Sequence, residues 1–389
     1  MQQTLFNVHD VVLFITVYQC LLFALFLWIF RVRKRGNTLL ALFLLCHAAI
    51  PADTLILYGA AFQHWAIEVS PNLFFAFGHA LWLEAPLLLL YVRTMVYRDY
   101  RPRWRDGWLF LPFLFYTLFM LLHYYRLDHA SKIAILYGYD SFDDRTYSRY
   151  VNLLRELFRL ACGVLAYSEL WRYQQRIKDV YANIEKIDLT WLRILVLGFL
   201  AIRADKVFEL FGLVLPVGWQ YYIDFEFIGL AANYTVMLLI SALIFFSLRF
   251  STVVTGLPEP KPELEEKPVD KLVISPDEIQ RLESHMREHK PHLNCLLNLD
   301  NLAGQLQWAP RHLSQVINRH YQQNFFDFIN TYRIDECKRL LADPSHRGEN
   351  MLEIMESAGF NSKATFNTFF KKKVGLTPSE YRQQQLASR

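Results

Sequence analysis

Five cysteines are spread over 389 residues, at positions 20, 46, 162, 295 and 337, and no two share a CxxC or other metal-like spacing. That scarcity excludes a disulfide framework, a thiolate metal site and a cysteine nucleophile. Three of the five, Cys20, Cys46 and Cys162, lie in apolar runs, where a free thiol packs as a small hydrophobe. No nucleophile constellation is visible elsewhere, and no cofactor or metal is implied. The N-terminal stretch lacks the basic start and small-residue cleavage site of a signal peptide. It is therefore expected to stay in place as a first membrane span. The spans also lack the internal repeat that many transporters carry.

Charge is missing from long stretches. Val11–Phe30 contains none. A helix needs about 20 apolar residues to cross roughly 30 Å of hydrocarbon. Seven stretches meet that length: Val11–Phe30, Thr38–Ala61, Pro71–Val96, Trp108–Tyr125, Val151–Leu170, Trp191–Phe211 and Ile223–Leu248. A hydrophobic soluble helical domain is the alternative, but seven such runs in one soluble fold would be unusual. From Ser251 onward the chain turns polar, and only Trp308 of the nine tryptophans lies there.

The basic residues between the runs set an expected orientation. Arg31, Arg33, Lys34 and Arg35 follow the first run, Arg98, Arg101, Arg103 and Arg105 the third, and Arg172, Arg176, Lys178 and Lys186 the fifth. The opposite loops carry only Arg126, Lys132, Arg145 and Arg149. Twelve against four places the N-terminus outside and the C-terminus in the cytoplasm. Indole rings agree: Trp28, Trp104, Trp108, Trp171 and Trp191 fall at expected inner ends, Trp65 and Trp219 at outer ends.

Ionisable groups inside the runs are costly and call for a partner or a role. Asp53, Glu84, Arg155, Arg159, Arg203, Lys206 and Glu209 form the candidate ligand-binding set, with Glu156, Asp205, Asp224 and Glu226 nearby in sequence. Two readings stay open: an outward-facing polar cavity for a small signal, and interhelical ion pairs that hold the bundle. A third has some runs ending earlier, leaving these groups at the membrane interface.

The expected organisation is all-α: a seven-span membrane domain over 1–250, a linker over 251–273, and a cytoplasmic helical domain over 274–389. Gly256–Leu272 holds four prolines and alternating charge, and reads as a semi-rigid spacer. Ser275, Pro276 and Glu278 read as a helix start with a capping box. Asn298 caps a short helix and Pro310 opens another, with Leu313, Val316, Ile317 and His320 on its inner face. A long helix follows from about Phe325. Met351–Ala358 is a further short helix, Gly359 a turn, and Ser362 the cap of a helix with Phe366, Phe369 and Phe370 inside. Spacing alone thus gives two helix-turn-helix candidates, 299–320 and 351–373. From Pro291 on, twelve Lys and Arg stand against nine Asp and Glu, a mildly basic balance.

The segment GFNSKATFNTFFKKKVGLTPSEYR, Gly359–Arg382, looks like the second helix-turn-helix of an AraC-type regulator. Residues 276–382 resemble the DNA-binding domain of the AraC/XylS family along their length. The positions that carry it include Leu302, Ala303, Leu306, Pro310, Leu313, Phe325, Ile329, Arg333 and Ile334, then Ile354, Gly359, Phe360, Phe366, Phe370, Gly375 and Pro378. Departures are Gln322 for a usual glycine, Thr365 and Thr368 for a usual aromatic and arginine, and Ala309 for a usual capping serine. The resemblance implies one domain whose two motifs read successive major-groove faces roughly 34 Å apart. The apolar half resembles the arrangement of the membrane-embedded branch of such regulators. Arg311, Ser314, Gln315, Asn318 and Arg319 on the first reading helix, and Lys363, Asn367, Thr368, Lys371 and Lys372 on the second, are the expected DNA-facing residues. Together these features predict a bacterial inner-membrane one-component transcription regulator, not an enzyme. Its expected partners are promoter duplex DNA, the lipid bilayer and an unknown small signal, with RNA polymerase and a second copy as further candidates. A transporter or membrane enzyme with a regulatory DNA-binding tail is the alternative, its intramembrane carboxylates relaying protons. A purely anchored regulator whose spans sense nothing is a third.

Overall fold

The computed structural model describes residues 7–29, 34–97, 100–137, 145–185, 187–214, 225–250 and 274–387. The expected linker, 251–273, lies outside them. The fold is all-α. Among the described residues nine helices come first: α1 (Val8–Ile29), α2 (Lys34–Tyr58), α3 (Ala60–Val69), α4 (Ala80–Val96), α5 (Leu111–Met120), α6 (His129–Leu136), α7 (Arg145–Val180), α8 (Thr190–Val214) and α9 (Phe225–Phe250). Seven follow: α10 (Pro276–Glu288), α11 (Leu299–Leu306), α12 (Pro310–His320), α13 (Phe325–Ala342), α14 (Met351–Ser357), α15 (Lys363–Val374) and α16 (Pro378–Ala387). Packing divides them into two compact units, Met1–Trp171 with Leu189–Glu259, and Arg172–Asp188 with Pro260–Arg389.

In the first unit α1, α2 and α4 pack side by side, and α9 lies against α1 and α8. Cys20, Phe43, Leu44, Leu89 and Val92 are buried between them. Phe14, Tyr18, Leu21, Leu22 and Leu25 of α1 turn outward, as do Leu114, Phe115 and Leu118 of α5. In water such a surface costs roughly 25 cal/mol per Å²; against lipid tails, as apolar as leucine itself, it costs nothing comparable. Among the described residues, four stretches are long and apolar enough to cross a membrane: Val8–Ile29, Gly36–Tyr58, Trp104–Tyr125 and Gly229–Leu248.

The other three expected spans fall on α4, α7 and α8, where apolar length and charge diverge. Ahead of α4, residues 71–79 are a 3-10 turn, Pro71–Leu73, and further turns. Ser70 caps that turn through the Asn72 N–H, and Phe75 sits at φ 65, which breaks helical continuation. α4 therefore has 17 residues. α7 is a single helix of 36 residues, and both it and α8 carry several of the ionisable groups noted above.

The second unit is built around α13. Leu282, Met286, Leu302, Leu313, Ile317, Phe325 and Phe328 share one core. Ile334, Cys337, Ile354, Phe360, Phe366 and Phe370 share the next. Local chemistry starts the helices as expected. Ser275 and Glu278 form a reciprocal capping box on α10, Asn298 accepts from the Asn301 N–H, and Ser362 accepts from the Thr365 N–H. Ala309 offers α12 no side-chain cap, and Pro310 at its first turn compensates by needing no N–H partner. His320 departs from its expected inner face: it is exposed, its ring edge-on to Tyr321 at 4.7 Å. Gln322 sits at φ 54, the left-handed conformation that explains why glycine would serve there.

Gly359 stands at φ 87, and a Cβ there would lie 2.4 Å from the His292 carbonyl oxygen and 2.9 Å from Leu293 Cα. Those neighbours are backbone and cannot swing away. Gly359→Ala is expected to destabilise the second unit by about 2–3 kcal/mol. Gly375→Ala, at φ 82 with open space around it, should cost only about 1 kcal/mol. Thermal unfolding of the detergent-solubilised chain compares the two; equal losses would refute the steric argument.

Candidate nucleic-acid interface and buried polar cluster

Two pairs of short helices present polar faces in the second unit. α11 turns into α12 through Gln307 at φ 59, with the Trp308 N–H donating to Ala303 O at 2.8 Å. α14 turns into α15 through Gly359, with the Phe360 N–H donating to Met355 O at 3.0 Å. α10 braces the first pair: Arg281 donates to Leu306 O at 2.7 Å, where α11 ends, and Glu278 meets His312 Nε2 at 2.8 Å.

With its apolar side locked inward, α12 leaves Arg311, Asn318 and Arg319 exposed, while Ser314 and Gln315 are half-buried. Asn318 donates to Ser314 Oγ at 3.4 Å. α15 buries Phe366, Phe369 and Phe370, so Lys363, Asn367, Thr368, Lys371 and Lys372 stand exposed. Lys371, Lys372 and Lys373 occupy its last turn, where cations suit the negative end of the helix dipole. Each expected DNA-facing residue thus lies on the polar side of its helix.

Behind these helices lies a group whose role the sequence did not reveal. Arg333 of α13 is 1% exposed. It donates to His292 O at 2.8 Å, Asn294 O at 3.0 Å, Ala182 O at 3.1 Å and Asn330 Oδ1 at 3.2 Å. Its guanidinium also lies over the Phe360 ring at 5.7 Å. Burial pulls its pKa down to about 10, leaving it charged at neutral pH. His292, buried beside Tyr332, is pushed down to about 4 by the same loss of water, so it is neutral there.

The first unit gathers part of the candidate ligand set. Glu84 of α4 pairs with Arg159 of α7, and stands 3.7 Å from Arg203 of α8 and 3.3 Å from His47 of α2. Glu156 bonds Arg159 at 2.7 Å and lies 3.4 Å from Arg203 and 3.2 Å from Arg155. Glu84 is 4% exposed and Arg159 2%. Four helices therefore meet at one charge-interleaved knot, and Glu84, Arg159 and Arg203 of it border a cavity of about 20 Å³. That is room for about one water. Asp53 is buried on α2 beside Gly78, apart from the knot. Lys206 is half-buried on α8, and the Glu209 side chain lies outside the described residues. Asp224 lies outside them too, as does the Glu226 side chain. A second polar group links Arg93 to Asp106 at 2.8 Å and Tyr97 to Glu169 at 2.6 Å. Among the described residues no set of His, Cys, Asp and Glu could hold a metal ion.

Comparison with known proteins bears on the second unit. A family model described as "Helix-turn-helix domain" matches residues 302–384, which run from within α11 into α16. The uncharacterized HTH-type transcriptional regulator YtdP of Bacillus subtilis is 30% identical over 89 residues, 23% of this chain and 11% of its own length. An uncharacterized HTH-type transcriptional regulator of Staphylococcus aureus (strain COL) is 32% identical over 91 residues, 23% of this chain and 12% of its own. The chain thus spans only about a tenth of the length of the curated relatives it matches. No solved structure matches it significantly. Residues 302–384 thus match a helix-turn-helix domain, and they follow in sequence helices apolar enough to span a membrane.

Proposed function

We propose that this chain is a membrane-bound one-component transcription regulator. The first unit crosses the bacterial inner membrane with seven spans, N-terminus outside, and receives a small signal. The second unit reads promoter DNA in the cytoplasm through two helix-turn-helix motifs, α11–α12 and α14–α15. The observation that carries this reading is the covalent pairing of an AraC-type domain with lipid-compatible helices. The domain boundaries follow the same logic, with 1–250 in the membrane, 251–273 as linker and 274–389 on DNA. One reading surface of this kind per chain favours pairing of two copies on DNA, and a regulator so placed would meet RNA polymerase.

Arg311, Gln315, Lys363 and Asn367 approach base edges, with Ser314, Asn318 and Thr368 beside them. Arg319, Lys371 and Lys372 approach phosphates. A genome-wide map of bound DNA supplies the target sites. On such a site Arg311→Ala is expected to lose about 1–3 kcal/mol of affinity and to relax base preference. Lys371→Ala should instead weaken binding to all duplexes and lower the salt slope by about one. Unchanged affinity for Arg311→Ala would remove that residue from the interface. A reporter fused after Arg389 should prove cytoplasmic; a periplasmic one would invert the topology.

A further inference from the structure

The segment after α7 belongs, by its packing, to the second unit. Tyr181 forms an antiparallel bridge with Asn298, the cap of α11, and the Ala182 N–H donates to Leu297 O at 3.3 Å. Ala182 is 1% exposed inside the core that holds α10, α11 and α12. Two residues on, Ile184 packs on the core that holds α14 and α15. Arg333 clasps the Ala182 carbonyl at the seam. Glu185 then accepts a hydrogen bond from the Thr365 hydroxyl in the first turn of α15. The strap is itself braced from α7: Tyr173 donates to Ile187 O and Gln174 to Asp188 O, each at 2.7 Å.

A nine-residue connection, 181–189, that only joined two helices would not need a residue in each of two cores. Nor would it place a carboxylate where it does. The first turn of a reading helix is the end that meets base edges, and its N–H groups favour a phosphate there. Glu185 puts a negative charge at that end of α15, competing with DNA for the same ground.

We propose that Tyr181–Asp188 is an intrachain docking strap whose receptor is the helix-turn-helix domain, and that its docked state holds α15 off DNA. The inference rests on the DNA-reading function proposed above. The strap leaves as DNA enters, so DNA and the docked strap exclude one another. The strap directly follows α7, the helix that carries Glu156 and Arg159 in the buried knot, so a shift of α7 reaches the reading helix without passing through 251–273.

The test uses the full chain in lipid nanodiscs and a mixed-sequence DNA duplex at low salt. Glu185→Gln keeps the acceptor for Thr365 and removes the charge. Its duplex affinity should rise roughly three- to tenfold, with the gain shrinking as salt screens it. Ile184→Ala, which loosens the strap without a charge change, should also raise affinity. Hydrogen exchange of 181–188 should quicken when duplex is added to the wild-type chain. Unchanged or weaker binding by Glu185→Gln, or a strap that stays protected with duplex bound, overturns the proposal. A wild-type chain that binds no duplex under any salt sinks the DNA-reading function itself, a different and recognisable failure.

Discussion

Arg333→Ala is expected to destabilise the second unit by about 4 kcal/mol. The side chain is 1% exposed and serves three carbonyls, His292 O, Asn294 O and Ala182 O. Each carbonyl left without a donor in the interior costs about 1–3 kcal/mol, and the vacated volume adds to that. The three come from segments far apart in sequence, so the loss is not local: the turn before α11, the seam beside Gly359 and the strap would loosen together. Two companion variants separate the causes. Arg333→Met restores most of the volume but no donor, so it should recover little. Arg333→Lys keeps the charge but replaces a fork of five donors by one ammonium that cannot reach all three oxygens, so it should fall between. Pulse proteolysis of the solubilised chain, read at cleavage sites in the second unit, measures all three. Full stability in Arg333→Met would mean that packing, not hydrogen bonding, is what Arg333 contributes.

How much of this was legible in sequence depends on whether the signal was local. Ser275 with Glu278, Asn298, Pro310 and Ser362 each announce a helix start within four residues, and the structure places each there. Apolar spacing fixed which faces of α12 and α15 are buried, and so which polar residues face out. It failed at His320, since a ring at the last turn of a helix can leave the core at little cost. The helical run expected from Pro71 failed because Phe75 takes a left-handed conformation that no residue-type preference announces. The role of Arg333 was hidden for a different reason. Three of its four hydrogen-bond acceptors are backbone carbonyls, which every residue has, so no side-chain pattern encodes them. The strap is hidden likewise: YANIEKID has the composition of any connecting loop, and its docking depends on a bridge to Asn298 more than a hundred positions away. The polar knot was half legible. The unusual charges stood out among apolar residues, but which would meet depended on how four helices pack.

Glu84→Ala is expected to cost the first unit about 3–5 kcal/mol, because it strips one partner from a buried set of charges. Glu84 faces Arg159, Arg203 and His47, and its removal leaves Glu156 alone against three guanidinium groups, those of Arg155, Arg159 and Arg203. The interior around them, Ala85, Leu88, Phe199 and Leu200, offers no substitute acceptor from its side chains, and the cavity of about 20 Å³ admits about one water. The charge count predicts a rescue. Removing Arg203 as well returns the set to the wild type's excess of one cation, so Glu84→Ala with Arg203→Ala should cost less than the sum of the two single changes by about 1–3 kcal/mol. Unfolding in mixed micelles gives the stabilities, and the amount of chain in the membrane gives a check in the cell. The same variants separate the two roles left open for these residues. If the knot only holds the bundle, the double variant at restored membrane level should answer its signal as the wild type does. If the knot is where the signal binds, the response should vanish even where stability has been regained. A single Glu84→Ala that unfolds like the wild type would show that the knot neither holds the helices together nor needs its carboxylate.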